Sequence, residues 1–191
     1  MSRYRKADQM LWCDEKFRAL SDDGKLVFLL VLLHPNMTAV GAMRGSVVTL
    51  AEDLDWEVER LSKGFEEAFQ KGLVEHDRKA RFVGLPNFLK YNAPENPNVL
   101  KSWVSAYEML PECNLKLITL QRLERLSESL SPPFAKAFQQ AFGKHLAKGM
   151  PKQEQEQEPK QEQRFSSQEG GTEEEGSSAG TVVKLPVGGG R

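Results

Sequence analysis

The chain has 191 residues, of which 28% are charged, and a formal net charge of −1. That length holds one domain, or one with a small second domain. Residues 1–148 carry 21 Lys/Arg against 19 Asp/Glu and residues 149–191 carry 5 against 8, which excludes a strongly basic stripe and leaves any nucleic-acid affinity to local clusters, to oligomerisation, or to both.

Arg3, Arg5 and Lys6 open the chain as a basic stretch. It is either an arm that follows a phosphate backbone or a start with no role. Trp12, Phe17 and Leu20 pack as a short helix or turn. Ser21 with Asp22 and Asp23 reads as a helix start. Every residue from Leu26 to Leu33 is apolar, so this helix is expected to be covered on most sides until His34-Pro35-Asn36 ends it. Val40 to Met43 predicts a short strand that joins the sheet of the later hairpin.

Thr49 and Glu52 fit a capping box, each side chain reaching the other residue's amide. Leu50, Ala51 and Leu54 give the short helix an apolar side. Asp55 is placed to cap a second helix, with Glu57 and Glu59 at the positive end of its dipole. Val58, Leu61, Phe65, Ala68 and Phe69 form the buried stripe. Lys71-Gly72 is a stop signal. Leu73-Val74 starts a strand, Asp77 to Ala80 turns, and Phe82, Val83 and Leu85 return. Helix, turn, helix and hairpin in this order predict a winged helix-turn-helix. Such modules place the second helix in a DNA groove, and others dock proteins.

The helical period sets Trp56, Arg60, Lys63 and Glu67 opposite the stripe, with Glu59 and Gln70 at its margins. Two cations and an aromatic near the helix start suit a groove-facing surface. The carboxylates suit a solvated face of mixed charge, with Trp56 packed sideways on a neighbour. Arg78, Lys79 and Arg81 lie on or beside the hairpin tip, where side chains can reach phosphates or a minor groove. Exposed turns are also often basic for solubility alone.

Pro86 to Tyr91 leaves the hairpin, and two prolines and three asparagines make residues 92–98 a linker. Asn98 is placed to cap a helix containing Val99, Leu100, Trp103, Val104, Tyr107 and Leu110, stopped by Pro111. Leu115 to Leu130 predicts another helix, with Leu120, Leu123, Ser127 and Leu130 along one edge. Pro132-Pro133 breaks it, and Phe134, Phe138, Phe142 and His145 mark a third, shorter one. A helical region this small either packs on the first domain or self-associates as a homo-oligomer. From Pro151 the composition turns to PKQEQEQEPKQEQ and SSQEGGTEEEGSSAG, a low-complexity pattern expected to stay disordered. Thr181 to Val187, TVVKLPV, is its one apolar patch: a short docking motif or an inert terminus. The expected organisation is a mainly α-helical chain, with a winged-helix domain at 1–92, a helical extension at 93–148 and an acidic tail at 149–191.

No phosphate loop, dinucleotide fingerprint, zinc cluster or nucleophile elbow is present in the sequence, so no enzyme activity, cofactor or metal is expected. His34, His76 and His145 sit at unrelated places and read as structural. Cys13 and Cys113 lack ligand spacing and read as reduced thiols of a cytosolic protein. The start, MSRYRKADQM, lacks the apolar segment of a signal peptide, and the eight-residue run 26–33 is too short to span a bilayer, so no membrane partner is expected.

The stretches YRKADQMLWCDEKFRALSDDGKLVFLLVLLHPN, TLAEDLDW and PNFLKYNAPENPNVLKSW together resemble the replication-initiation, replisome-organiser-like proteins of phages and prophages. The resemblance covers about residues 3–110, and its last stretch is the more specific part. It implies a protein in the cytoplasm of a bacterial host that recognises an origin through a winged helix and helps to bring in the replicative helicase. Carried onto this chain, it gives Arg60, Lys63, Arg78, Lys79 and Arg81 the DNA-contact role. From the residues alone, Trp56, Arg3, Arg5 and Lys6 join them as candidates. Two other readings stay open: an adaptor that docks proteins through Trp56 and the acidic residues of the second helix, and a transcriptional regulator using the same DNA contacts.

Overall fold

The computed structural model describes residues 5–149. Several of the short helices start at side-chain caps. Asp8 accepts from the Met10 amide to start a 3₁₀ turn, Gln9–Cys13, and Asp14 accepts from the Phe17 amide to start α1, Glu15–Arg18. Ser21 accepts from the Gly24 amide at 3.0 Å and starts α2, Asp22–Leu33, as its sequence signal predicts. α2 is covered on most sides, as its apolar run predicts: Val27, Phe28, Val31 and Leu32 are buried, Leu29 and Leu30 pack against the core, and only Leu26 and Leu33 at the ends of the run are exposed, by 43% and 58%.

Strand β1, Ala42–Arg44, follows, and then α3, Val47–Asp53. The capping box of α3 lies one turn earlier than the sequence suggests. Ser46 Oγ accepts from the Thr49 amide at 3.2 Å, and Thr49 Oγ1 accepts from the Ser46 amide at 3.1 Å. Val47 and Val48 thereby enter the helix, and Glu52 is not part of the box. Asp55 does not cap the next helix; it sits in the left-handed region at φ 52° and turns the chain. Helix α4, Val58–Gln70, starts at Glu57 without a side-chain cap.

Helices α2 and α4 cross closely. A Cβ on Gly64 would lie 3.1 Å from the Asp23 carbonyl and 3.2 Å from the Gly24 amide nitrogen. This approach explains a glycine in a helix interior, where it costs about 1 kcal/mol relative to alanine. Leu61, Phe65 and Ala68 fill the contact, while Val58 and Phe69 at the ends of the predicted stripe are exposed. Gly72, at φ 67°, ends α4 as its stop signal predicts.

The chain then forms β2, Glu75–Asp77, and β3, Phe82–Gly84. The antiparallel sheet has the order β1-β3-β2, with Arg44 and Asp77 both opposite Phe82. Leu73 and Val74, expected to start β2, precede it and are buried.

A short helix, α5 (Phe88–Tyr91), follows the hairpin. Asn96, not Asn98, caps α6, Pro97–Ser102, accepting from the Asn98 and Val99 amides at 3.0 Å, and Pro97 occupies the first turn, where its missing donor costs nothing. The expected single helix breaks at Trp103, and α7 spans Val104–Glu108. Helices α8, Asn114–Leu130, and α9, Pro132–Gly149, complete the described part. α9 has 18 residues against 17 for α8, so it is not the shorter. Pro132 and Pro133 both break one helix and open the next. Leu120, Leu123, Phe138 and Phe142 are buried between them, and the Phe138 and Phe142 rings stack at 5.2 Å.

The described residues fall within one compact unit. One core cluster runs from Phe17 to Phe142. The helical extension therefore packs on the first region. Arg122 of α8 donates to both Glu75 carboxylate oxygens on β2, one at 2.7 Å. The tail with its Thr181–Val187 segment, and Arg3, lie outside the described residues. Among the described residues no helix is long and apolar enough to cross a membrane.

Candidate nucleic-acid interface

The β2–β3 turn is built by its own residues. Asp77 Oδ1 accepts from the Ala80 amide at 2.9 Å, which folds the loop back. Arg81 takes the left-handed region at φ 56°, which re-aims the chain into β3. Its carbonyl accepts from the Gly45 amide at 2.9 Å, so the end of β1 is tied to the returning arm of the hairpin. Arg78, Lys79 and Arg81 are exposed and make no ion pair among the described residues.

Arg44 belongs with them and is missed by the sequence reading. It is exposed at the end of β1, opposite Phe82 and next to the Gly45–Arg81 link. Only the pairing of β1 with β3 brings it there. A strand ending in arginine just before a capped helix was the available signal.

The second helix presents a different face from the one its period predicts. Arg60 turns toward α2. Its Nε donates to Asp23 Oδ2 at 2.9 Å and its Nη2 to Oδ1 at 2.7 Å. Its guanidinium lies 3.7 Å from the Trp56 ring centroid, so Trp56 is a half-buried packing platform. The guanidinium holds the Asp23 carboxyl below its ordinary range, and the carboxylate raises Arg60 in turn. Glu67 also turns inward and accepts from the Ser21 amide at 2.9 Å. The helix period places exposed Glu59, Lys63, Glu66 and Gln70 along one outer face, and the Gln70 amide donates to Glu66 at 2.5 Å. Lys63 is the one cation there.

In the described part of the N-terminal basic stretch Arg5 is half-buried and Lys6 is exposed. Arg5 donates to the Met37 carbonyl and lies 5.7 Å from the Phe88 ring centroid. The Lys6 amide donates to Asn92 at 2.9 Å, and its ammonium stands 3.9 Å from Glu95. Contacts with α5 and the segment after it, invisible in a linear reading, hold the Arg5 side chain and the Lys6 backbone.

His34 ties the end of α2 to α3. Its Nδ1 accepts from the Asn36 amide at 3.0 Å, which leaves Nε2–H to donate to Asp53 at 2.8 Å. His76 of β2 packs edge-on against Phe65, and its Nε2 is buried with no partner among the described residues. Burial first, and then Arg78, push its pKa below 6.5, against the opposing pull of Asp77 and Glu66. His145 contacts Glu108 at 3.3 Å beside Tyr107, whose hydroxyl burial pushes up to about 12.

Lys116 is buried, donating to the Leu110 carbonyl at 3.0 Å and to Glu112 at 2.6 Å. Cys13 and Cys113 are both free thiols. Among the described residues no cluster of His, Cys, Asp and Glu is arranged to hold a metal ion. Comparisons with protein-family models, with curated proteins and with solved structures returned no match for this chain.

Proposed function

We propose that α2 through β3 form a winged helix-turn-helix, that the β2–β3 hairpin is its wing, and that the protein is a non-enzymatic DNA binder of phage-type replication initiation. The fold reading rests on the order helix, strand, helix, turn, helix, hairpin and on the sheet order β1-β3-β2. The DNA reading is carried by one observation: Arg44, Arg78, Lys79 and Arg81 gather, exposed and without ion-pair partners among the described residues, where β1 meets the projecting hairpin. Cations placed so can neutralise phosphates and release counterions. The role in replication, the recruitment of a helicase through the C-terminal helices, and the cytoplasm of a bacterial host as the place of action rest on the resemblance over residues 3–110.

Titration of the full chain against duplex and single-stranded DNA, at low and moderate salt, tests this. Binding that weakens with salt is expected. Alanine at Arg78, Lys79 and Arg81 together should weaken it for all sequences and flatten the salt dependence. Unchanged affinity in that variant removes the hairpin from the interface.

A protein-docking reading draws on a specific observation. Arg60 is committed to Asp23, and the outer face of α4 carries Glu59 and Glu66. Absence of binding to any DNA in dilute buffer would favour it.

A further inference from the structure

We infer that this protein holds duplex DNA by its phosphates alone, through Arg44, Arg78, Lys79 and Arg81, and that helix α4 reads no bases. The inference rests on the DNA-binding reading above and deepens it.

The commonest base-edge contacts in the major groove are forked ones: Arg or Lys on guanine, Asn or Gln on adenine. α4 has one arginine, Arg60. Its Nε and Nη2 are held by Asp23 and its flat face by Trp56. The amide of Gln70 is engaged by Glu66. Lys63 remains, between Glu59 four residues before it and Glu66 three residues after it on the same face. Those carboxylates offset its charge and repel the phosphates that line a groove. A helix carrying this face gains nothing by entering a groove.

The sheet side has the opposite character. Arg81 is pinned in the left-handed region, and its carbonyl is tied to Gly45, next to Arg44. Arg44 sits on a strand whose register with β3 is fixed by three residue pairs. Strand pairing and the Gly45–Arg81 link thus set the backbone at Arg44 and Arg81, and the turn between β2 and β3 carries Arg78 and Lys79. Asp77, the acid at the turn, spends its Oδ1 on the Ala80 amide.

The same surface argues against single strands as the preferred ligand. Single-strand binders interleave cations with exposed aromatic rings on which bases stack. Phe82, behind Arg44, is fully buried, and Trp56 is covered by the Arg60 guanidinium. Among the described residues the exposed rings are Trp12 in the 3₁₀ turn, Phe69 in the last turn of α4 and Tyr91 in α5, none of them on the strands or the turn that carry the four cations.

The test uses the full chain. A selection from a pool of randomised duplexes should enrich no motif. Labelled duplexes of unrelated sequence should bind within about threefold of one another, and a thymidine single strand more weakly. Each phosphate contact adds about 0.9 to the slope of log affinity against log salt. Arg44→Ala should thus lower the slope by about 0.9, as Arg78→Ala does, and Arg44→Lys should restore it. Lys63→Ala should leave the slope unchanged.

An enriched motif bound more than about a hundredfold above random duplex would overturn the inference while leaving DNA binding intact. Tighter binding to the single strand, or an Arg44→Ala slope equal to that of the parent, would also overturn it. No binding to any DNA at low salt would instead remove the functional reading on which it stands.

Discussion

Arg60 and Asp23 form a two-pronged ion pair between α4 and the first turn of α2, at 2.9 and 2.7 Å. An arginine that sequence periodicity assigns to a DNA groove is thereby committed to the protein itself. Arg60→Ala should leave DNA affinity within about twofold of the parent, since no phosphate contact is lost. Its effect should appear in Asp23 instead. The lowered carboxyl, freed of the guanidinium, should titrate closer to its ordinary value of 3.8, which a side-chain carboxyl NMR titration reads directly. The folded pKa lies below the unfolded one. Whatever the pair contributes is therefore complete above 3.8 and is lost as pH falls through the folded value. A tenfold loss of DNA affinity in Arg60→Ala would return this side chain to the interface.

The α2–α4 crossing predicts opposite outcomes for one substitution at two helical glycines. Gly64→Ala would set a methyl 3.1 Å from backbone atoms of Asp23, which cannot swing aside as a side chain can. The helix-propensity gain of about 1 kcal/mol should be outweighed by overpacking of about 1–3 kcal/mol, giving net destabilisation. Gly143→Ala in α9 would meet only the end of Gln139, at 3.6 Å. It should stabilise by up to about 1 kcal/mol. Urea denaturation of both variants checks the pair.

Glu75 and Arg122 join the sheet to α8, with 18% and 29% of their side chains exposed. Half-buried partners make removal of one asymmetric: the other keeps a charge with no answer. Glu75→Gln should cost about 1.5–3 kcal/mol, the range for hydrogen bonds to charged groups. Adding Arg122→Met should recover part of that loss, because the orphaned guanidinium goes with it. A double-mutant cycle by chemical denaturation gives the coupling. Additive losses would mean that the two side chains do not depend on each other.

The parts legible in the sequence were those whose cause is local. Ser21 before two aspartates, Gly72 after Lys71, and the turn at Asp77–Ala80 with Phe82 and Val83 returning from it each carry their reason within a few residues, and each feature formed, although β2 starts at Glu75 rather than at Leu73. The Thr49 box failed because an equally good hydroxyl, Ser46, lies one turn upstream and lets Val47 and Val48 add to the helix. The face of α4 failed for a different reason. Periodicity says which residues lie opposite the core stripe, but not that the start of α2 lies beside that face and supplies Asp23 and the Ser21 amide. Arg44 was hidden because the expected strand stopped at Met43, one residue short of it, and its place opposite Phe82 appears only in the register of β1 with β3.

His76 sets the pH dependence of the hairpin. Its ring lies against Phe65, Nε2 is buried without a partner, and Arg78 adds like charge to the protonated form. The folded pKa is therefore below 6.5, and the unfolded state binds the proton more readily. Stability from this group should be complete above pH 6.5, decline as pH falls toward the folded value, and stay flat below it, where both states are protonated. His76→Phe keeps a ring against Phe65 and removes both the proton and the orphaned nitrogen. It should flatten stability across that window and raise it at neutral pH by about 1 kcal/mol, the usual cost of an unsatisfied buried polar atom. Urea midpoints of parent and variant at pH 7.5 and 5 measure both effects. Equal pH slopes in the two proteins would show that His76 takes up its proton in the folded state without cost.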